Sequence, residues 1–299
     1  MAVRGRIALV LVLAVSACSS PGSAPPVDPD AIVIAAFDFP ESHLLAEIYG
    51  QAIEDAGMPV HRELGLGTRE FVQPALQRGL VDLVPEYSGS ALSFVTLNVV
   101  KPSADEEHTH AALVHALEGL AITVLDAAPA QDRNGLAVTA ATAAELELDI
   151  VSDLRPFAPT MTLGGPPECA DRPLCLPGYE RVYGLRFEAF LPVVASGSAA
   201  LRAQVVDAAI VFTSDGVAER DGVVILEDDR KLQPAENVTP VVRTEVLSRY
   251  GPALSDLINA VSAALTTEEL RAMNAEMAVD ARQPAAVAAD WLRREGFAE

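Results

Sequence analysis

Short apolar segments alternate with amphipathic helical segments along most of this chain, and this alternation limits the possible folds most strongly. An apolar run of strand type begins at Ile32, and an amphipathic helix is predicted after it over 43–56. The same rhythm restarts after Asn134, with a strand predicted over 135–139. Strands that alternate with helices are typical of parallel βαβ units. We therefore predict an α/β protein built from two units of similar rhythm.

The start of the chain has the pattern of a secretory signal. Two arginines, Arg4 and Arg6, precede an unbroken apolar run over 7–15, and small residues follow it. This pattern is typical of a cleaved signal peptide. The run of nine residues is too short to span a bilayer core of ~30 Å at ~1.5 Å per helical residue. We predict a signal peptide over residues 1–17, and hence a globular part that works outside the cytoplasm.

Cys18 directly follows the small pair Ser16 and Ala17. This arrangement resembles a lipobox, in which the cysteine thiol is acylated and becomes the new N-terminus. The alternative is an ordinary cleaved signal followed by a chance cysteine. Residues 18–30 are rich in Ser, Pro, Gly, Ala and Asp without periodicity, as in a flexible linker. We predict lipidation at Cys18 and a linker over 18–30.

The acidic composition excludes one class of partner. The 299 residues carry 42 acidic and 21 basic side chains, and removal of residues 1–17 changes the net charge from -21 to -23. Such a chain repels nucleic acid. Half of the residues are hydrophobic, which is enough for sizeable cores, and the length predicts about two domains.

Two cysteines, Cys169 and Cys175, lie six residues apart in a Pro-rich segment. In an oxidising compartment such a close pair indicates a disulfide. A zinc site would need two more ligands, and no histidine lies nearby in sequence. We predict a structural disulfide between the two cysteines.

The usual catalytic motifs are absent from the sequence. It contains no Gly-x-Ser-x-Gly elbow, no phosphate-binding loop and no dinucleotide fingerprint. His108, His110 and His115 share one predicted helix, but no two of them have the i, i+4 spacing of a helical zinc site. We therefore expect no catalytic residue, no metal and no cofactor.

Three loops follow the ends of predicted strands, where open α/β sheets bind ligands. They cover residues 37–42, 85–89 and 212–216, and each combines an aromatic residue with hydroxyl or carboxylate groups. Aromatic faces attract quaternary ammonium groups by ~0.5–2 kcal/mol per ring. Hydroxyls and backbone N–H groups at helix starts can hold a carboxylate. The alternative for the phenylalanines is burial in the core, because apolar aromatics are usually buried.

Several ordered segments together resemble one known family. They lie at 39–60, 79–92, 161–168, 176–187, 211–216, 223–230 and 265–277. Through them the chain resembles the glycine betaine, choline and carnitine receptors of ABC importers, the OpuAC-like ProX/OsmF group, over about residues 31–297. The resemblance implies a type II periplasmic-binding-protein fold, with two α/β lobes that close on a ligand by hinge motion. We expect lobe 1 to comprise 31–133 and 241–299, and lobe 2 to comprise 134–240.

The resemblance also implies a ligand site. Tyr87 matches the family's cage tyrosine after a Pro-Glu pair, whereas Asn134 and Phe212 stand where other members often have tyrosine. Phe37 and Ser42 stand where lysine and glutamine are usual. We expect Tyr87 to be the anchor ring, flanked by Phe37 and Phe212, and to support little of the core. The full set of predicted ligand-binding residues is Phe37, Ser42, Tyr87, Ser88, Asn134, Phe212, Thr213 and Asn237.

The sequence thus predicts an extracytoplasmic receptor for a small quaternary ammonium or zwitterionic osmoprotectant of the glycine betaine or choline type. The resemblance implies a non-enzymatic receptor that delivers its ligand to an ABC permease. We expect it to be a monomer, held at the membrane only by the lipid on Cys18. An extracellular enzyme or a sensory module on the same fold is the alternative, since a fold alone does not determine function.

Overall fold

The computed structural model describes residues 28–193, 196–218, 220 and 222–298. Cys18, the predicted signal peptide and most of the predicted linker lie outside these residues. No helix in the described part of the chain is long and apolar enough to cross a membrane.

The described residues form ten strands and eleven α-helices. The strands are β1 (Ile32–Ala35), β2 (Val60–Glu63), β3 (Leu83–Tyr87), β4 (Ile122–Val124), β5 (Asn134–Thr139), β6 (Thr162–Gly165), β7 (Ala189–Pro192), β8 (Ala208–Phe212), β9 (Val223–Leu226) and β10 (Val238–Arg243). The helices are α1 (Pro40–Asp55), α2 (Arg69–Gln77), α3 (Ser88–Val95), α4 (Glu106–Leu117), α5 (Ala140–Leu146), α6 (Leu176–Tyr183), α7 (Gly197–Arg202), α8 (Thr244–Tyr250), α9 (Pro252–Ala264), α10 (Thr267–Val279) and α11 (Pro284–Glu295).

Two five-stranded sheets form the centres of two lobes. The first has the order β2-β1-β3-β10-β4, and the second has the order β7-β6-β8-β5-β9. The strands connected through helices pair in parallel, as predicted for βαβ units. In contrast, β10 pairs antiparallel with β3 and β4, and β5 pairs antiparallel with β8 and β9. These two strands enter their sheets directly from the other lobe without a crossover helix, which leaves them free to run antiparallel.

The chain passes between the lobes twice, and the two crossing segments touch. Gln131 and Asn237 form an antiparallel bridge there. All of β10 pairs within the first sheet, and Val238 and Val242 belong to the core of lobe 1. Residues 238–240, which we expected in lobe 2, therefore lie in lobe 1.

Each lobe has apolar cores on both faces of its sheet, as expected for a three-layer α/β unit. In lobe 1 the larger core includes the fully buried Tyr49 and Trp291, and it brings α1 against α11. In lobe 2 the predicted disulfide is present: Cys169 and Cys175 are bonded, both are buried, and their Cα atoms lie 5.1 Å apart.

One predicted helix is divided in two. The apolar pattern predicted a continuous helix over 246–265, but α8 ends at Tyr250 and α9 begins at Pro252. Between them Gly251 has φ = 69°, which glycine adopts without strain. Pro252 has no N–H group to continue the helix and is well suited to the first helical position.

Candidate ligand-binding site

Two stacked rings lie at the end of the first sheet that faces lobe 2. Because β1 ends at Ala35 and Pro40 begins α1, the loop between them crosses the carboxyl ends of the parallel strands. This loop brings the ring of Phe39 over the ring of Tyr87, the last residue of β3, with centroids 6.2 Å apart. Phe39 is 39% exposed, whereas Tyr87 is 6% exposed.

Phe37 does not contact Tyr87 as expected, because Phe39 stands between them. Its ring is buried and stacks on Phe39 at a centroid distance of 5.9 Å. The guanidinium carbon of Arg69 lies 4.9 Å from the Phe37 centroid. Arg69 in turn donates hydrogen bonds of 2.8 and 3.0 Å to the Glu86 carboxylate. The ring that the first loop presents to solvent is therefore Phe39.

Phe212 and Asn134 lie side by side at the corresponding end of the second sheet. They are directly opposite residues of the antiparallel pair β8 and β5, so their side chains point to the same face. Both are exposed, and Phe212 has 58% of its surface accessible. A cavity of about 190 Å³ adjoins Asn134, between the ends of β5 and β9 and Arg271 of α10.

A hydrogen-bonded network connects the two lobes next to these rings. The Tyr87 hydroxyl donates to Glu41 Oε1 at 2.5 Å, and Asn274 Nδ2 donates to Glu41 Oε2 at 2.5 Å. Asn274 Nδ2 also donates to the carbonyl of Ser214 in lobe 2 at 3.0 Å. The Ser214 hydroxyl donates to Asp132 Oδ1 at 2.8 Å. The loop that follows Phe212 is thereby attached to the ring stack of lobe 1.

The same loop rests closely on α10 of lobe 1. Arg271 donates two hydrogen bonds, of 2.9 and 3.2 Å, to the carbonyl oxygen of Thr213. At Gly216 a Cβ atom would lie 2.1 Å from the backbone nitrogen of Ala275. Only glycine allows this approach of backbone to backbone, so the loop and the helix define how closely the lobes meet.

Burial controls the electrostatics of this network. It raises the pKa of Glu41, against the hydrogen bonds from Tyr87, Ser214 and Asn274. Burial and the neighbouring Glu41 charge raise the pKa of Asp132 well above its usual value. The pKa of Tyr87 is also raised well above the usual value, by burial and by the charges of Glu41 and Asp132. In all three groups the raised pKa shifts the ionisation equilibrium toward the neutral form.

A further carboxyl group lies behind the ring stack, on the second crossing. Glu236 accepts hydrogen bonds of 2.9 Å from both the backbone nitrogen and the hydroxyl of Ser90. Burial nevertheless raises the pKa of Glu236 to about 7.

The remaining predicted residues are engaged in hydrogen bonds with the protein itself. The buried Ser42 hydroxyl accepts from the Phe37 N–H at 2.9 Å, and the buried Ser88 hydroxyl donates to a carbonyl at 3.3 Å. The Thr213 hydroxyl accepts from the Arg133 N–H at 2.8 Å, and Asn237 Nδ2 donates to a carbonyl at 2.9 Å. These four side chains hold the loops and crossings together.

Our sequence reasoning missed four residues of the network. Glu41 lies inside a predicted binding loop, and Asp132 lies two residues before Asn134, so both had a sequence signal. Ser214 also lies in a predicted loop, directly after Thr213. Asn274 had no such signal, because only the fold brings its helix to the cleft.

Two α/β lobes joined by two crossings, with rings at the facing ends of their sheets, define the class of solute-binding proteins. The chain belongs to the OpuAC family, described as the substrate binding domain of ABC-type glycine betaine transport systems, whose model matches residues 30–294. The predicted family and fold are therefore confirmed.

Individual relatives agree with this assignment. The chain is 29% identical to the glycine betaine-binding protein YehZ of Escherichia coli (strain K12), over 86% of this chain and 88% of that protein. It is 26% identical to the carnitine transport binding protein OpuCC of Listeria monocytogenes, over 96% and 94% respectively. A crystal structure of a glycine betaine/carnitine/choline ABC transporter shares the fold, with a TM-score of 0.83 at 23% identity. That match covers 89% of this chain and 99% of the other.

The family also decides between the broad classes of function. Its members are substrate-binding proteins of ABC importers, which work outside the cytoplasm and are not enzymes. The enzyme alternative has no support among the relatives.

Proposed function

We propose that this protein captures a small quaternary ammonium compound in the cleft between its lobes and passes it to an ABC permease. The main observation is the arrangement of rings: Phe39 and Tyr87 at the end of one sheet, and Phe212 at the end of the other. Ring faces attract quaternary ammonium groups, and the relatives named above are described as binding glycine betaine or carnitine.

Within this proposal Tyr87 is the anchor ring, and Phe39 and Phe212 are the rings that reach the ligand from the two lobes. Asn134 lies beside Phe212 and supplies an exposed amide. Phe37 supports Phe39 from behind. The hydroxyl and amide groups of Ser42, Ser88, Thr213 and Asn237 hold the loops that position the rings.

We place lobe 1 at 31–133 and 238–299, and lobe 2 at 134–237, with the bridged crossings as the hinge. Binding then draws the Phe212 ring toward the rings of lobe 1, as in other hinge closures, while the 213–216 loop keeps its contact with α10. We further propose that the protein acts as a monomer, anchored at the cell surface or in the periplasm by an acylated Cys18.

Calorimetric titration of the mature protein with glycine betaine, choline, carnitine and proline betaine tests this function. Phe212→Ala should weaken binding of the best ligand roughly 5- to 30-fold, since one ring contributes about 1–2 kcal/mol. Phe71→Ala is the matched control, because Phe71 is a comparably exposed ring, at 67%, on α2. The proposal is wrong if none of the four compounds binds with a Kd below about 1 mM.

A further inference from the structure

Two carboxyl groups lie directly beside the proposed anchor ring. Glu41 accepts the hydrogen bond of the Tyr87 hydroxyl, and Asp132 accepts that of Ser214. Each carboxyl lies close enough to raise the pKa of Tyr87 by its charge. Glu41 is buried, whereas Asp132 is partly accessible from solvent. A ligand held against Tyr87 therefore lies next to both acids.

Within the residues that the structure describes, neither Glu41 nor Asp132 forms an ion pair with a cationic side chain. The nearby guanidinium of Arg69 is bound to Glu86. Arg271, on the side of α10, is bound to the Thr213 carbonyl. The polar partners of the pair are instead the neutral groups of Tyr87, Ser214 and Asn274, given above.

The missing positive charge has a chemical consequence for the ligand. A partly buried carboxylate without a cation is unfavourable, and it takes up a proton or a counter-charge. A cationic ligand supplies that counter-charge. A carboxylate on the ligand would instead be placed near the like charges of the pair, which raises its free energy in the site.

We propose that Glu41 and Asp132 make the cleft select a ligand of net positive charge over a zwitterion, and that this cation displaces one proton from the pair as it binds. The inference rests on the proposed function and specifies the charge of its ligand. The proton passes to solvent, so the pair exchanges one positive charge for another.

This exchange links affinity to pH in a defined direction. Because burial raises both carboxyl pKa values, the free site retains a proton above the ordinary carboxyl range, and a bound cation favours its release. Cation binding should then tighten as pH rises, by up to about tenfold per pH unit for one proton. The titratable groups that act on the pair are Tyr87 of β3, which bonds Glu41, and Glu236 of the second crossing, whose charge raises the pKa of Asp132. Among the neighbouring charged groups, Glu86 of β3 is paired with Arg69 of α2, Arg271 of α10 is bound to the Thr213 carbonyl, and Arg133 follows Asp132 in the chain.

Choline and glycine betaine are the probes, because both carry a trimethylammonium group but only glycine betaine carries a carboxylate. Titration calorimetry of the mature protein in two buffers of different ionisation enthalpy, over about pH 5 to 8, measures affinity and protons released. We expect choline to bind more tightly than glycine betaine at about pH 7 and to release up to one proton, whereas glycine betaine releases fewer.

Asp132→Asn removes one charge of the pair, and Asp126→Asn is the matched control at an exposed position of the same segment. We expect Asp132→Asn to weaken choline binding about tenfold or more, the factor of one pKa unit, and to diminish proton release. The affinity for glycine betaine should fall by a smaller factor, because loss of the Asp132 charge also removes its repulsion of the ligand carboxylate. If Asp132→Asn lowers the melting temperature, Glu41→Gln provides the second measurement.

The possible outcomes distinguish failure of the charge selection from failure of the proposed function. Glycine betaine binding as tightly as choline, without a difference in proton release, would overturn the charge selection and leave the proposed function intact. An equal loss of affinity for choline and glycine betaine in Asp132→Asn would also overturn the charge selection. If no quaternary ammonium compound binds, the proposed function is wrong and this inference falls with it.

Discussion

The Tyr87 hydroxyl donates a 2.5 Å hydrogen bond to the buried carboxyl of Glu41. Tyr87 ends a strand of lobe 1, and Glu41 lies in the first turn of α1. The ring of Tyr87 also belongs to the core of lobe 1. We expected a cleft residue that supports little core, and its burial shows that this expectation was wrong.

Tyr87→Phe should therefore destabilise the free protein, by about 1–2 kcal/mol, because Glu41 loses a buried donor. The ring remains, so the core is not opened. Urea unfolding at neutral pH measures the change. Tyr250→Phe is the control, since the Tyr250 hydroxyl bonds a carbonyl in an exposed setting, and it should change stability less. Equal effects of the two variants would contradict the structural role of the Tyr87 hydroxyl.

Glu236 should make stability fall as pH rises. Its folded pKa of about 7 exceeds the unfolded value of 4.5, so the folded state binds the proton more tightly. Its stabilising contribution is complete below pH 4.5 and is lost as pH rises through about 7. Between these limits wild type should lose roughly 2–3 kcal/mol more than Glu236→Gln in chemical unfolding. Glu107→Gln, at an exposed position, should follow wild type, and parallel curves for all three proteins would refute the prediction.

Gly216→Ala should separate the lobes. The added methyl group meets the backbone of α10, which cannot rotate away as a side chain can. We expect a loss of about 1–3 kcal/mol in stability and a larger radius of gyration in small-angle scattering. In Gly50→Ala only the end of the Arg62 side chain must move, so this control should retain the wild-type dimensions. An unchanged radius of gyration in Gly216→Ala would argue against close apposition at this point.

The disulfide should contribute modest, local stability to lobe 2. A loop this short contributes roughly 2 kcal/mol by restricting the unfolded chain. Cys169→Ser with Cys175→Ser should lower the free energy of unfolding by about this amount and leave choline or betaine affinity nearly unchanged. Thiol titration of unfolded, unreduced mature protein should find no free thiol from the pair, whereas two free thiols would refute the bond.

Cys18→Ala should release the protein from membranes or leave the signal uncut, because acylation requires the thiol. Ser19→Ala is the control and should remain in the membrane fraction. Fractionation with mass determination of the mature chain makes the comparison. Membrane retention of Cys18→Ala at the unmodified mature mass would contradict the lipid anchor.

Several features could be predicted because they depend on local pattern. The strand and helix alternation predicted the α/β class, and the close cysteine pair predicted the disulfide. We expected residues 85–89 to form a loop after a strand, but β3 runs to Tyr87 and α3 begins at Ser88, so Tyr87 lies at the strand end without an intervening loop. The antiparallel pairing of β10 could not be predicted, because a run of apolar residues does not indicate whether its strand pairs parallel or antiparallel.

The composition of the site was harder to predict, because it depends on long-range contacts. Glu41, Asp132 and Asn274 are far apart in sequence, and no spacing rule joins them. Whether Phe37 or Phe39 faces the cleft depends on the turn of one short loop. The sequence identified this loop correctly, but we expected Phe37 to flank Tyr87, whereas Phe37 packs against Arg69 and Phe39 stacks on Tyr87.

Lobe 1 is built from both ends of the chain, and this has a consequence for the order of folding. Its central strand β3 pairs with β10, and α1 packs against α11, close to the last described residue. The core around Tyr49 therefore cannot form until the segment that contains Trp291 has crossed the membrane. During translocation, the N-terminal part of lobe 1 lacks β10 and α11 as packing partners, and it therefore remains unfolded while the rest of the chain crosses. Completion of this lobe should then be slow relative to lobe 2, whose strands are contiguous in the chain.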